Sequence, residues 1–258
     1  MTDVAPGPGE KITAINADLK LISRTDGLQF GTDAFLLSAF VRRRPSQTVV
    51  DLGTGTGIVP LLLCRWNKCA RCIGLEIQPD FAELAGRNAR LNGLADRIEI
   101  RKADVRDLPA YAFVPPPDVV TANPPYLRAD GGKINDSSRK AIARHELEGG
   151  IREFTDAAGR ILQSGGLACF IYRPERLMEL LTGCAQARLE PKRMVFVYPD
   201  AESAPSLVLL EAQKDGAAGL RVLPPLIAFS DPKDHRTYTP AYQRIYDTGQ
   251  VSDDGVLP

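Results

Sequence analysis

At 258 residues with 44% hydrophobic content, the chain holds enough apolar material for one large domain or two small ones. Lys plus Arg and Asp plus Glu each number 32, so the net charge is zero and nonspecific coating of nucleic acid is disfavoured, although local basic patches are not. No apolar run approaches membrane-spanning length, the start at Met1 to Pro8 has no signal-peptide core, and five cysteines without export signals read as reduced thiols; the expectation is a cytoplasmic protein with no membrane contact.

Residues 1–10 read as a loose tail rich in Pro and Gly. A short strand is expected over Leu19–Arg24, then a turn at Asp26-Gly27 and an amphipathic helix from Ala34 to Val41, with Thr32 or Asp33 as its N-cap. Arg42, Arg43 and Arg44 follow as cations near the negative end of that helix. Strand and helix signals then alternate. Thr48–Leu52 is an apolar strand, Gly53-Thr-Gly55-Thr-Gly57 a turn, and Ile58–Trp66 a helix. Ala70–Glu76 gives a second strand. Pro79 sits near the first position of a helix running through Phe81, Leu84, Ala85, Asn88 and Leu91 at helical spacing, closed by Asn92-Gly93. Arg97–Arg101 alternates as a third strand.

The fourth strand, Asp118–Ala122, ends abruptly in Asn123-Pro124-Pro125-Tyr126. Neither proline donates a ladder hydrogen bond, and Pro124 holds Asn123 out of the helical region, so the strand must stop in a rigid, carbonyl-rich corner. A polar loop containing Gly131-Gly132 follows, long enough to suggest a functional lid. Further helices are expected from Leu147 or Gly149 to Leu162 and over Pro174–Ala187, flanking a fifth strand at Leu167–Tyr172. Met194–Tyr198 and Ser206–Glu211 are successive strands with no helical pattern between them, which implies an antiparallel pair at the sheet edge. The sequence leaves residues 220–258 unplaced and sets no oligomeric state. The whole reads as an α/β fold with a mostly parallel seven-stranded sheet, one antiparallel edge strand and helices on both faces.

Three features carry chemistry. Gly53, Gly55 and Gly57 lie at a strand-to-helix junction after Asp51, where backbone N–H groups can approach a ligand, and their spacing differs from the dinucleotide pattern because Ile58 stands where its third glycine would fall. Glu76 ends the second strand about twenty residues past those glycines, where nucleotide-binding sheets place a ribose-hydroxyl acceptor. Asp104 follows the third strand and is placed to accept from an adenine amine.

Val49 to Gly57 resembles motif I of class I S-adenosylmethionine-dependent methyltransferases, and Asn123 to Tyr126 resembles their amino-methylating motif, shared by enzymes that act on adenine N6, guanine N2 or glutamine N5. Phe30 to Leu37, Asn123 to Tyr126 and Ala143-Arg-His-Glu146 together are similar to bacterial tRNA (adenine-N6)-methyltransferases, which modify the adenine beside the anticodon of a valine tRNA. The likeness covers residues 20–215 and implies a Rossmann-like methyltransferase fold. It implies three segments: 1–45 covering the cofactor site, 46–215 as the methyltransferase domain, and 216–258 as a tail packed on it. S-adenosylmethionine is then the implied cofactor and tRNA the implied partner. Carried over by residue, Asp51, Gly53, Gly55 and Gly57 would surround the methionine part, Glu76 would hold the ribose, and Asp104 would meet the cofactor's adenine. Gln29, Phe30 and Thr32 would border the cofactor's amino-acid end. Asn123, which also borders the cofactor, and Pro124 would accept from the target amine, and Tyr126 would stack on its base.

Other constellations point less sharply. Arg139, Lys140, Arg144 and His145 form a basic cluster after Tyr126, a candidate RNA-facing patch. Cys69 and Cys72 make a C-x-x-C without a second pair or His cluster, so no metal is expected. The competing functions are a protein glutamine N5-methyltransferase, disfavoured by the short stretch before Val49, a guanine N2 rRNA methyltransferase, and a cofactor-binding module without catalysis.

Overall fold

A computed structural model describes residues 4–25, 31–125 and 150–250. The N-terminal segment forms an antiparallel hairpin, β1 (Glu10–Ala14) and β2 (Lys20–Arg24), turned by the Asn16 side chain, whose oxygen accepts from the Asp18 and Leu19 N–H groups. Part of the expected loose tail is therefore ordered from Glu10, which pairs with Arg87 at 2.7 Å.

Next come α1 (Asp33–Phe40), β3 (Thr48–Leu52), α2 (Ile58–Arg65), β4 (Arg71–Glu76), α3 (Pro79–Leu91), β5 (Ile98–Lys102) and β6 (Val119–Ala122). The chain continues as α4 (Ile151–Ile161), β7 (Leu167–Tyr172), α5 (Leu177–Gln186), β8 (Leu189–Tyr198), β9 (Leu207–Lys214), β10 (Arg221–Val222), β11 (Leu226–Ile227) and α6 (Pro240–Thr248). Among the described residues the main sheet has nine strands in the order β10-β8-β9-β7-β6-β3-β4-β5, with β11 also paired to β8. Strands β3 to β7 are all parallel.

The reversed strand is β9, antiparallel to both neighbours, and it is not at the edge. It slots between β7 and β8, and β10 and β11 lie outside β8. Their two-residue strands are too short to leave a sequence pattern. The segment left unplaced by the sequence thus extends the sheet, and α6 packs against α1 through Tyr246, stacked on Phe35 at 4.0 Å.

Alternation along the strands separates two cores. Val49, Cys72, Val119, Cys169 and Val195 face α1, α2 and α6, whereas Val50, Ile73, Val120 and Phe170 face α4 and α5. Helix α1 is buried along its length, so the carbonyls freed at its C-terminus need partners inside the protein. Lys68 Nζ donates to Ala39 O and Val41 O at 2.5 and 2.8 Å, Arg193 to Phe40 O at 3.0 Å, and Gln47 to Arg42 O at 3.1 Å. The arginines after α1 do not form a simple solvated terminus, because Arg42 reaches the buried Glu211 at 2.6 Å.

Candidate active site

The chain runs from β3 outward to β4 and β5, then returns to the other side of β3 as β6, so strand order switches between β3 and β6. In open parallel sheets a crevice opens at the carboxyl ends of the strands at such a switch, and ligands bind there. The glycine loop leaves β3 and Asn123 leaves β6 side by side at that crevice.

The register pairs Asp51 with Thr121, and the Thr121 hydroxyl donates to the Asp51 carboxylate at 2.7 Å with both residues buried. Burial pushes the Asp51 carboxyl up from its ordinary 3.8 to about 7, Thr121 opposes the shift, and the negative charge of Glu76 adds to it. A carboxylate so placed gains most from a cationic ligand.

Gly53 holds a φ of +67°, and a Cβ there would stand 3.1 Å from Phe154 Cε1 of α4. Gly57 has a φ of +83° and lies as close to Ala85 of α3. Backbone handedness and contact with helices on both faces therefore demand glycine at these positions. The Gly55 N–H donates to Glu76 Oε2 at 2.8 Å, and the Gln78 N–H to Oε1 at 2.9 Å. Glu76, itself buried, thus fixes the glycine loop from the neighbouring strand end.

Asp104, past the end of β5, accepts from the Arg106 N–H at 2.9 Å and from its guanidinium at 2.9 Å. The Arg106 hydrogen bond holds its carboxyl below the ordinary range. Asn123 is half-buried and Pro124 buried, directly after the last residue of β6. Thr32 stands at the N-cap of α1 without bonding the helix through its side chain, and its hydroxyl meets Tyr242 of α6 instead.

The structure therefore brings Asp51, Gly53, Gly55, Gly57, Glu76, Asn123 and Pro124 to one crevice, with Asp104 on the next strand end. Gln29, Phe30, Tyr126, Arg139, Lys140, Arg144 and His145 lie outside the described residues. The C-x-x-C thiols are buried, with Cys64 Sγ 3.8 Å from Cys69 Sγ, and no cluster suited to a metal occurs among the described residues.

Sequence reasoning took Asn88 only as a position on a helix face. Its amide oxygen accepts from the Ile22 N–H at 2.7 Å, and its nitrogen donates to Ile22 O at 3.1 Å and to Thr56 O at 2.9 Å. Four residues on, Asn92 does the same for Lys20 at 2.9 and 2.7 Å. Two amides one helical turn apart imitate a strand partner for the free edge of β2, and Asn88 ties that edge to the glycine loop. The available signal was a pair of asparagines at i and i+4 on the buried side of α3.

A methyltransferase-domain family matches residues 49–126, which span the glycine loop, Glu76, Asp104 and the Asn-Pro-Pro corner. A tRNA1(Val) (adenine(37)-N6)-methyltransferase of Porphyromonas gingivalis is 29% identical over 71% of this chain and 74% of its own length. The chain carries a methyltransferase domain. A second protein of that name, from Actinobacillus pleuropneumoniae, is 35% identical across 46% of the methyltransferase and 50% of its own length. Among solved structures, a predicted O-methyltransferase from Agrobacterium tumefaciens superposes with a TM-score of 0.66 at 26% identity, covering 83% of this methyltransferase and 95% of that chain. M. jannaschii TYW2, crystallised with AdoMet, shares the fold at a TM-score of 0.54 and 14% identity, over 81% of this methyltransferase and 89% of that chain.

Proposed function

We propose that this methyltransferase transfers a methyl group from S-adenosylmethionine to the exocyclic N6 amine of an adenine in tRNA, the adenine next to the anticodon of a valine tRNA. The observation that carries the reading is the position of Asn123-Pro124 beside Asp51 and the glycine loop, across one pair of strands. The names of the relatives supply the tRNA and the base.

The residues fit the cofactor. Asp51, poised near neutrality, suits a cationic amino-acid end, the positive-φ glycines expose backbone N–H groups, and Glu76 brings a carboxylate, the acceptor type that ribose hydroxyls need, to the strand end beside the loop. When bound, S-adenosylmethionine supplies an electrophilic methyl on a sulfonium. The chain's own task is to make a poor nucleophile attack in line. An exocyclic amine has its lone pair delocalised into the ring. The Asn123 side-chain oxygen and the Pro124 carbonyl accept its two hydrogens, favour pyramidalisation and point the lone pair at the methyl, which is catalysis by orientation and charge complementarity. Tyr126 stacks on the extruded base and returns about 1–3 kcal/mol of the unstacking cost. Neither Asn nor Pro is a strong base, so the surplus proton leaves to water after transfer.

Asp104 faces the cofactor's adenine on this reading, and Gln29, Phe30 and Thr32 border its amino-acid end. Residues 1–45 cover that site, 46–215 form the transferase domain, and 216–258 brace it. The cluster Arg139, Lys140, Arg144 and His145 faces the RNA. No metal takes part, and the enzyme works in the cytoplasm with its tRNA.

The likeness to an O-methyltransferase raises hydroxyl methylation as a second reading. Two acceptors suit an amine with two hydrogens better than a hydroxyl with one, which needs a general base instead. The test is Asn123→Ala. Turnover on unmodified tRNA should vanish while cofactor affinity stays within a few-fold of wild type, and loss of cofactor binding would show that the division of roles is wrong.

A further inference from the structure

A polar cavity of about 370 Å³ lies far from the proposed site of chemistry. Gly165 and Leu167, at the amino end of β7, line it, whereas Asn123 and the glycine loop stand at the carboxyl ends of the parallel strands. The six residues of β7 put roughly 20 Å between the two edges. Helix α1 links them, with Thr32 at its start and Arg42 and Arg44 just beyond its end.

Five cations line this cavity, Arg42, Arg44, Lys192, Arg193 and Arg221, against the single acid Glu211. Glu211 is fully buried and already saturated. It accepts from Arg193 at 3.0 and 2.6 Å and from Arg42 at 3.1 and 2.6 Å, so two guanidinium groups share one carboxylate. That arrangement leaves a positive charge in excess even before the rim is counted. Lys192 is turned onto the Ala217 carbonyl. Arg44 and Arg221 are exposed, and neither has a side-chain hydrogen bond or ion pair among the described residues. The excess charge reaches inward: burial, then repulsion by Arg193, brings the neighbouring Lys68 amine down to about 7. In a chain of zero net charge, such a convergence is a local demand for an anion.

We propose that this cavity recognises phosphate groups of the RNA backbone, remote from the reacting base. The inference rests on the tRNA reading above and extends it. Extruding a base from its stack costs a few kcal/mol, and contacts far from the reacting atoms can offset that cost. Guanidinium pairs are suited to phosphodiester oxygens, and two exposed arginines at the rim can follow an extended polyanion as well as a compact ion.

The test uses the full chain, an unmodified tRNA transcript and the double variant Arg44→Ala/Arg221→Ala, both rim residues being outside the buried triad. tRNA affinity is measured across a salt series. The variant should bind roughly tenfold more weakly near 0.1 M salt, with the logarithmic salt slope reduced by about 2. Cofactor affinity and the thermal midpoint should match wild type, and lysine at both positions should restore most of the loss. An unchanged slope and affinity, in a preparation whose wild type binds and methylates tRNA, overturns the site while leaving the function standing. A wild type with no tRNA binding at all overturns the functional reading itself, and is told apart because there is no salt slope to change. Thermal protection by inorganic phosphate that the variant loses, with tRNA affinity unmoved, would assign the cavity to free phosphate and overturn the RNA source.

Discussion

Cofactor binding should be linked to a proton on Asp51. Its carboxyl rises from 3.8 to about 7 because burial beside Thr121 strips it of water, which corresponds to about 4 kcal/mol against the carboxylate. The group titrates higher in the folded chain than in the unfolded one. Between about pH 4 and 7 the folded state therefore holds an extra proton, and stability from this group is lost as pH rises through that window. A cationic ligand reverses the preference, since it needs the carboxylate. Binding then requires loss of the proton, and a group titrating at about 7 weakens the apparent affinity about tenfold at pH 6 while leaving it nearly unaffected at pH 8. Calorimetric titration of S-adenosylmethionine from pH 5.5 to 8, in buffers of different ionisation enthalpy, reads both the affinity and the protons released. Wild type should release close to one proton per cofactor at pH 6, and Asp51→Asn should bind weakly with no pH dependence over the same range. A wild-type affinity flat from pH 5.5 to 8 would refute the reasoning, because the carboxyl would then be ionised before the cofactor arrives.

Three further substitutions probe the supporting structure, two beside that carboxyl and one away from it. Asn88→Ala strands the buried Ile22 N–H and takes the donor from the half-buried Thr56 carbonyl, and should cost about 1–3 kcal/mol in urea unfolding, with weaker cofactor binding because the glycine loop loses its tie to β2. Gly53→Ala combines a positive φ with a Cβ 3.1 Å from Phe154, so a loss of about 1–3 kcal/mol in the same unfolding assay is expected, together with lower cofactor affinity. Glu211→Gln leaves Arg193 and Arg42 facing each other without a carboxylate and should destabilise by about 3–5 kcal/mol, measured by thermal unfolding, with little change in cofactor affinity in the population that remains folded.

The legible parts of this protein are those whose cause is local. Gly53, Gly55 and Gly57 mark a turn where backbone can approach a ligand, Asn123-Pro-Pro must end a strand, and the spacing from the glycines to Glu76 follows from one helix and one strand. The illegible parts are fixed by partners distant in the chain. Glu211 enters the sequence reading only as the last residue of a strand, but it is buried against arginines 18 and 169 residues away. The tail from 220 onward contributes strands of two residues, which have no period to detect, and a helix whose Thr239-Pro240 start and Tyr242, Ile245 and Tyr246 spacing are legible but whose place, in an aromatic stack with Phe35, is not. The reversed strand shows the same limit. Two strands without a crossover correctly implied an antiparallel pair, yet nothing local says that the second inserts between its predecessors instead of adding outside them.

The central claim is tested most directly by following labelled methyl from S-adenosylmethionine into a pool of unmodified tRNA, then digesting the RNA and identifying the methylated nucleoside and its position. Label in N6-methyladenosine next to the anticodon of a valine tRNA is the expected result. Label on a ribose oxygen, on guanine, on a protein glutamine or nowhere would contradict the account.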